Sequence, residues 1–219
     1  MERTADLAQG MDLEKGRPVD DGKSPPKLPR PSPSEADGPG FPPPYRTTGA
    51  VPIIATATMG AADQRFFDAL RRAHFPPERN HLAAHITLFH QLPPSGLDEL
   101  ERLIRAIAAD TPPPAAMLRE IYSLGQGVAF RIESPDLLAI RARIAERLAG
   151  MLTAQDQGVP RLHITVQNKV AAAEARALLA ELTSDFHPRP IAITGLAAHH
   201  YRGGPWEPAF ARSFRGRRR

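Results

Sequence analysis

Two copies of one four-residue pattern, His85-Ile86-Thr87-Leu88 and His163-Ile164-Thr165-Val166, lie 78 residues apart in a chain of 219 residues. Side chains alternate along a β-strand, so in each copy the histidine and threonine share one face and the two aliphatic residues share the other. With the aliphatic face turned to a core, the His/Thr pair looks outward. Two such strands beside one cleft bring together two imidazoles that trade protons near neutral pH and two hydroxyls that hydrogen-bond a phosphoryl oxygen. That is equipment for phosphodiester chemistry without a metal. With eight histidines in the chain, about 0.02 His-Ile-Thr triplets are expected by chance, so the repetition carries the argument where either copy alone does not.

The elements that must position these strands are legible from periodicity. Val51 to Ala57 reads as a first strand, and Ala61 to His74 as a helix with Phe66, Phe67 and Leu70 near helical period, ended by Pro76-Pro77. The first motif strand spans Ala84 to Leu92, followed by a helix from Leu97 to Asp110 with an apolar stripe of Leu100, Leu103, Ile104 and Ile107. Ala116–Leu124 and Val128–Glu133, joined by Gly125-Gln126-Gly127, read as a hairpin. Ser134-Pro135 opens a helix running to about Leu152, the second motif strand spans Arg161 to Lys169, and Ala171–Ser184 forms a further helix. Strands over Pro190–Tyr201 and Glu207–Phe214, around Gly203-Gly204-Pro205, close the chain. The order helix, motif strand, helix, strand, strand recurs around each histidine. Strands not separated singly by helices predict an α+β fold rather than a parallel α/β sheet, and the recurrence predicts a duplicated, bilobal one.

Composition sets the limits. Residues 1–48 are rich in Pro, Gly, Ser, Asp and Lys and poor in β-branched and aromatic residues, which predicts a disordered tail before a domain over residues 49–214. A shortened chain starting near Gly49 is accordingly expected to keep its melting temperature and activity, and a large drop in either would show that the tail contributes to the fold. Residues 215–219 form a basic C-terminal tail, Arg-Gly-Arg-Arg-Arg, suited to phosphates, within a net charge of +4 that a compositional bias toward Arg also explains. The chain has no cysteine, which excludes disulfides, thiolate zinc sites and a cysteine nucleophile. With neither a signal-peptide run nor a bilayer-spanning segment, a cytoplasmic monomer with no membrane association is expected.

On the paired His-x-Thr-(apolar) motifs and their separation, the stretch from Val51 to Phe214 resembles the two-histidine (2H) phosphoesterase superfamily, in its 2′-5′ RNA ligase-like, cyclic phosphodiesterase branch. The resemblance implies two similar halves, each with a small antiparallel sheet, outer helices, and one motif facing a central groove. It implies action on 2′,3′-cyclic phosphates or 2′-5′ linkages of RNA ends or cyclic nucleotides, with His85, Thr87, His163 and Thr165 as the catalytic set. Which histidine is acid and which base stays open at this level. No carboxylate cluster accompanies the motifs, so no metal, ATP or other cofactor is expected. An RNA-end-binding module with the same fold and no turnover is the alternative. The domain offers only one lysine, Lys169, for such binding, and the intact His/Thr pairs favour catalysis.

Extending period two places Phe89 and Gln167 on the groove face, for base stacking and for phosphate or base-edge contacts. Tyr201 and Arg202, beside the Gly203-Gly204 turn, offer a ring and a guanidinium to a nucleotide. The same alternation points His90 away from the groove. His199-His200 cannot place both rings on one face, and the His81/His85 spacing does not converge on a metal once the segment enters a strand.

Overall fold

The computed structural model describes residues 51–217. The tail expected over residues 1–48, and Arg218 and Arg219 of the basic end, lie outside the described residues. Strand β1 (Ile53–Met59) has a core face of Ile53, Ala55, Ala57 and Met59, and it is followed by α1 (Ala61–His74), whose Phe67 is fully buried. The first motif leads into β2 (Ile86–Leu92) and α2 (Leu97–Asp110), then the hairpin β3 (Met117–Ser123) and β4 (Gly127–Glu133). Helix α3 (Pro135–Arg147) starts as its Ser-Pro signature predicts, with the Ser134 hydroxyl accepting from Leu137 N and Pro135 in the first turn. It ends at Arg147, short of Leu152, because the chain turns through a 3₁₀ segment over Ala149–Met151 and a single-turn helix α4 (Ala154–Gln157). The second motif strand β5 (His163–Asn168), α5 (Ala172–Ser184), β6 (Arg189–Pro190), β7 (Ile193–His200) and β8 (Glu207–Ser213) complete the order.

The strands form two four-stranded antiparallel sheets, ordered β2-β1-β7-β8 and β5-β4-β3-β6. In each sheet the motif strand is at the edge and pairs with the strand that precedes its helix: β1 with β2 across α1, and β4 with β5 across α3. The repeat is therefore strand, helix, motif strand, helix, strand, and the expected recurrence is displaced by one element. The last strand of each repeat crosses over: β3 joins the sheet of β4, while β7 joins β1 along its whole length, from Ile53↔His200 to Met59↔Ile193. The hairpin signal places β3 beside β4, but order along the chain does not specify the pairing of β7 with β1, which joins opposite ends of the domain. Thus neither sheet is built from one half of the chain.

Helices α1 and α3 leave one sheet and reach the other. Phe67 of α1 meets the Phe130 ring of β4 edge-on at 5.1 Å, and Arg141 of α3 lies over Phe89 of β2 at 4.6 Å. One continuous apolar cluster spans both sheets as a result. At the C-terminal end, Arg215 N donates to Ala108 O at 2.7 Å and Gly216 N to Thr111 O at 3.1 Å, so the backbone stays bonded to the end of α2 past Phe214. Among the described residues no helix is long and apolar enough to cross a membrane.

Candidate active site

Each motif histidine stands at the entrance to its edge strand, oriented by the same local bond. His85 Nδ1 meets the carbonyl of Ala83 at 2.8 Å, and His163 Nδ1 meets the carbonyl of Arg161 at 2.7 Å. A carbonyl only accepts, so in both rings Nδ1 carries the hydrogen and Nε2 is left for chemistry. The segment before His85 is gripped by α1: Ala84 N donates to Asp68 Oδ1 at 2.7 Å, Gln64 Nε2 to Ala84 O at 2.9 Å, and Arg71 Nε to Leu82 O at 3.2 Å. The segment before His163 is held by the neighbouring strand, through Ile132 N donating to Leu162 O at 2.9 Å.

Thr87 pairs with Thr56 of β1, and Thr165 with Ala129 of β4. Both threonines are partly exposed on the face away from the core residues Ile86, Leu88, Ile164 and Val166. Arg71 Nη1 donates to Thr165 O at 2.9 Å, so one guanidinium holds the approach to His85 and the second motif strand together.

Directly after each threonine the ladder slips by one residue. Thr56 and Ala55 face Thr87 and Phe89, and Ala129 and Val128 face Thr165 and Gln167, so Leu88 and Val166 are the extra residues of two equivalent bulges. The bulges overturn the period-two placement of Phe89 and Gln167. Phe89 is fully buried among core residues under the Arg141 guanidinium, and Gln167 is 2% exposed, its Nε2 donating to Glu174 of α5 at 3.3 Å. His90, expected on the far face, is turned to the groove side by the same slip. Gly127 accommodates the second bulge, because a Cβ there would stand 2.1 Å from Gln167 O.

The loop between β7 and β8 reaches the site, though through a residue outside the expected set. Arg202 is exposed and paired with Glu207 at 2.8 Å, and Tyr201 is half-buried with its N donating to Pro52 O at 2.9 Å. Trp206 instead meets the His85 ring at 4.5 Å and the His199 ring at 5.4 Å, and His199 Nε2 is 3.2 Å from Thr56 Oγ1. On the opposite side the Tyr122 ring faces His163 edge-on at 6.3 Å, with the Arg161 guanidinium 5.7 Å from the Tyr122 centroid. No periodic signal singles out Trp206 or Tyr122, since both reach the histidines through sheet pairing.

Burial pushes the His85 pKa down to about 4, against the opposing pull of the Ala83 carbonyl, and the charges of Arg71, His163 and His199 add to the depression. Burial likewise lowers His163, partly offset by the Arg161 carbonyl and reinforced by His90 and Arg161, and it lowers His199. At neutral pH these three imidazoles are therefore neutral. These shifts make a stability prediction. With folded values below the ordinary 6.5 for His85, the unfolded chain binds more protons between that value and about 4, so stability falls as pH drops through this window. For His85 the loss is on the order of 3 kcal/mol. Thermal melts from pH 7.5 to 4.5 should show a shallower decline for His85→Ala than for the parent, and equal declines would refute the depressed value.

Among the described residues no group of three or more His, Asp or Glu is arranged to hold a metal ion. The sequence profile of the 2′-5′ RNA ligase superfamily matches residues 60–205. In fold the chain is similar to the Thermus thermophilus protein TT0787, at 17% identity and a TM-score of 0.53 over 76% of this chain and 100% of that one. It is also similar to Escherichia coli LigT complexed with 3′-AMP, at 16% identity and a TM-score of 0.52 over 75% of this chain and 98% of that one. The NADP⁺ complex of LigT gives 17% identity and a TM-score of 0.50 over 75% and 98% of the two chains. No curated protein matches by sequence. The profile match over most of the folded region, with both motifs inside it, places the chain in the 2′-5′ RNA ligase superfamily of two-histidine phosphoesterases.

Proposed function

We propose that this protein is a metal-independent phosphoesterase acting on 2′,3′-cyclic phosphate or 2′-5′ phosphodiester linkages of RNA ends or nucleotides. The observation that carries the reading is the matched pair of Nδ1–carbonyl bonds, which leaves two Nε2 atoms on adjacent edge strands, each beside a threonine. On a cyclic phosphate, neutral His85 Nε2 removes a proton from water as its oxygen attacks phosphorus. The bond to one ribose oxygen breaks, and His163, protonated on binding the anion, gives its proton to that oxygen. His85 takes the base role because its pKa is driven to about 4 by burial. Thr87 and Thr165 donate to the non-bridging oxygens. Trp206 beside His85 and Tyr122 beside His163 supply the aromatic surfaces for a base.

The test is incubation with a 2′,3′-cyclic nucleotide and, separately, with cyclic-phosphate-ended RNA, in excess chelator and without ATP, with 2′- and 3′-phosphate products resolved. Turnover is expected under these conditions, and activity restored only by added divalent metal would overturn the reading. Thr87→Ala and Thr165→Ala should each lower kcat by roughly 10- to 10³-fold, the worth of one oxyanion-type hydrogen bond. A threonine variant with parental kcat on every cleaved substrate would remove that hydroxyl from the mechanism.

A further inference from the structure

A third imidazole reaches the groove with a carboxylate behind it. Asp156, in the single turn of α4, is 1% exposed. It accepts from His90 N at 2.9 and 3.1 Å, from Gln91 N at 2.9 Å, and lies 3.1 Å from His90 Nδ1. Because an ionised carboxylate only accepts, Nδ1 carries the hydrogen and Nε2 points away from Asp156. His85 and His163 are oriented in the same manner by carbonyls, whereas His90 has an anion in that position. Burial opposes ionisation of Asp156, yet the bonds from the His90 side chain and from the backbone of His90 and Gln91 hold its pKa below the ordinary value. Arg141 fixes the other end of the residue by donating to Asp156 O.

Closing the free edge of β2 does not need the imidazole. The backbone N–H groups of His90 and Gln91 already fill that role against Asp156, and the His90 side chain remains 24% exposed. The bulge at Leu88 places His90 on the groove side, and His90 is close enough to His163 for its charge to act on that ring.

Resting on the phosphoesterase reading above, we propose that His90, oriented by Asp156, is a third groove imidazole that donates from Nε2 to the phosphoryl group of the substrate beside His163. A ring held between a carboxylate and a phosphoryl oxygen binds as the imidazolium, with one donor for each anion. The charged and titratable groups around it are Asp156 from α4, Arg141 from α3 and His163 from β5.

Two measurements test this. In His90→Gln, KM for a 2′,3′-cyclic nucleotide should rise by about 10- to 100-fold, the worth of a hydrogen bond to a charged group, while kcat changes by less than about threefold. Calorimetric titration of inorganic phosphate should show weaker binding by His90→Gln than by the parent. His90→Lys should recover part of the affinity. Unchanged KM and phosphate affinity in His90→Gln would overturn the role of His90 while leaving the His85/His163 mechanism standing. A kcat loss that tracks a fallen melting temperature would overturn it as well, by making the residue structural. Should the parent turn over no cyclic phosphate, the phosphoesterase reading fails separately and the phosphate titration still decides. Binding weakened by His90→Gln supports the subsite, and no phosphate binding by the parent overturns it.

Discussion

Replacing His85 or His163 with alanine is expected to lower turnover of a cyclic phosphate by about 10²- to 10⁴-fold, the worth of one positioned proton transfer. The double variant should lose far less than the product of the two single losses. Acid and base act in one step, and once either is missing the remaining imidazole has no partner whose work it completes. Stability should barely move at neutral pH. Both rings are only partly buried, and what each loses within the fold is one bond to a carbonyl two residues earlier and one ring contact, with Trp206 or Tyr122. A steep fall in kcat at a steady melting temperature separates this mechanism from a structural motif, which would lose both together. Either single variant retaining near-parental turnover on every substrate the parent cleaves would end the two-histidine mechanism for this chain.

The motif strands are legible in the sequence because they need only local information. A histidine and a threonine two residues apart share a face whatever the strand pairs with, and Ile86, Leu88, Ile164 and Val166 do lie in the core. What fails is extrapolation beyond the threonine. A bulge is set by the partner strand's register, and nothing in Leu88-Phe89 or Val166-Gln167 announces the extra residue. The slip directly after each threonine buries Phe89 and Gln167 and brings His90 to the groove. The pairing of β7 with β1 is hidden for a similar reason, since it joins segments at opposite ends of the domain, whereas β3 beside β4 is the hairpin that the sequence predicts. Trp206 approaches His85 because β7–β8 lies in the sheet of β1 and β2, and Tyr122 approaches His163 because β3 lies two strands from β5. Helix ends with local signatures, such as Ser134-Pro135 and Pro76-Pro77, fall where the sequence predicts them because their causes are local too.

The crossed helices make Arg71 the largest expected effect outside the motifs. It is 4% exposed and donates to the carbonyls of Leu82 and Thr165, tying the lead-in to His85 to the strand that carries His163. Burial costs this charge enough to bring its pKa down to about 10, despite the nearby Asp68. That penalty, on the order of 3 kcal/mol, works against two charge-assisted bonds worth about 1.5–3 kcal/mol each. Arg71→Met should accordingly destabilise the fold by only about 1–2 kcal/mol, a melting temperature lower by about 2–8 °C. Turnover should fall further, by up to about 10²-fold, because the two motif strands lose their common tie and small displacements of reacting groups are costly. Arg71→Lys should not recover it, since one ammonium cannot reach both carbonyls as a planar fork does. Arg71 also lowers the pKa of His85. Removing its charge should raise that value and move the acidic limb of the kcat/KM profile, where the base becomes protonated, to higher pH. A parental pH profile together with full rescue by lysine would show that Arg71 is only a packing residue and that the alignment of the two motif strands has another source.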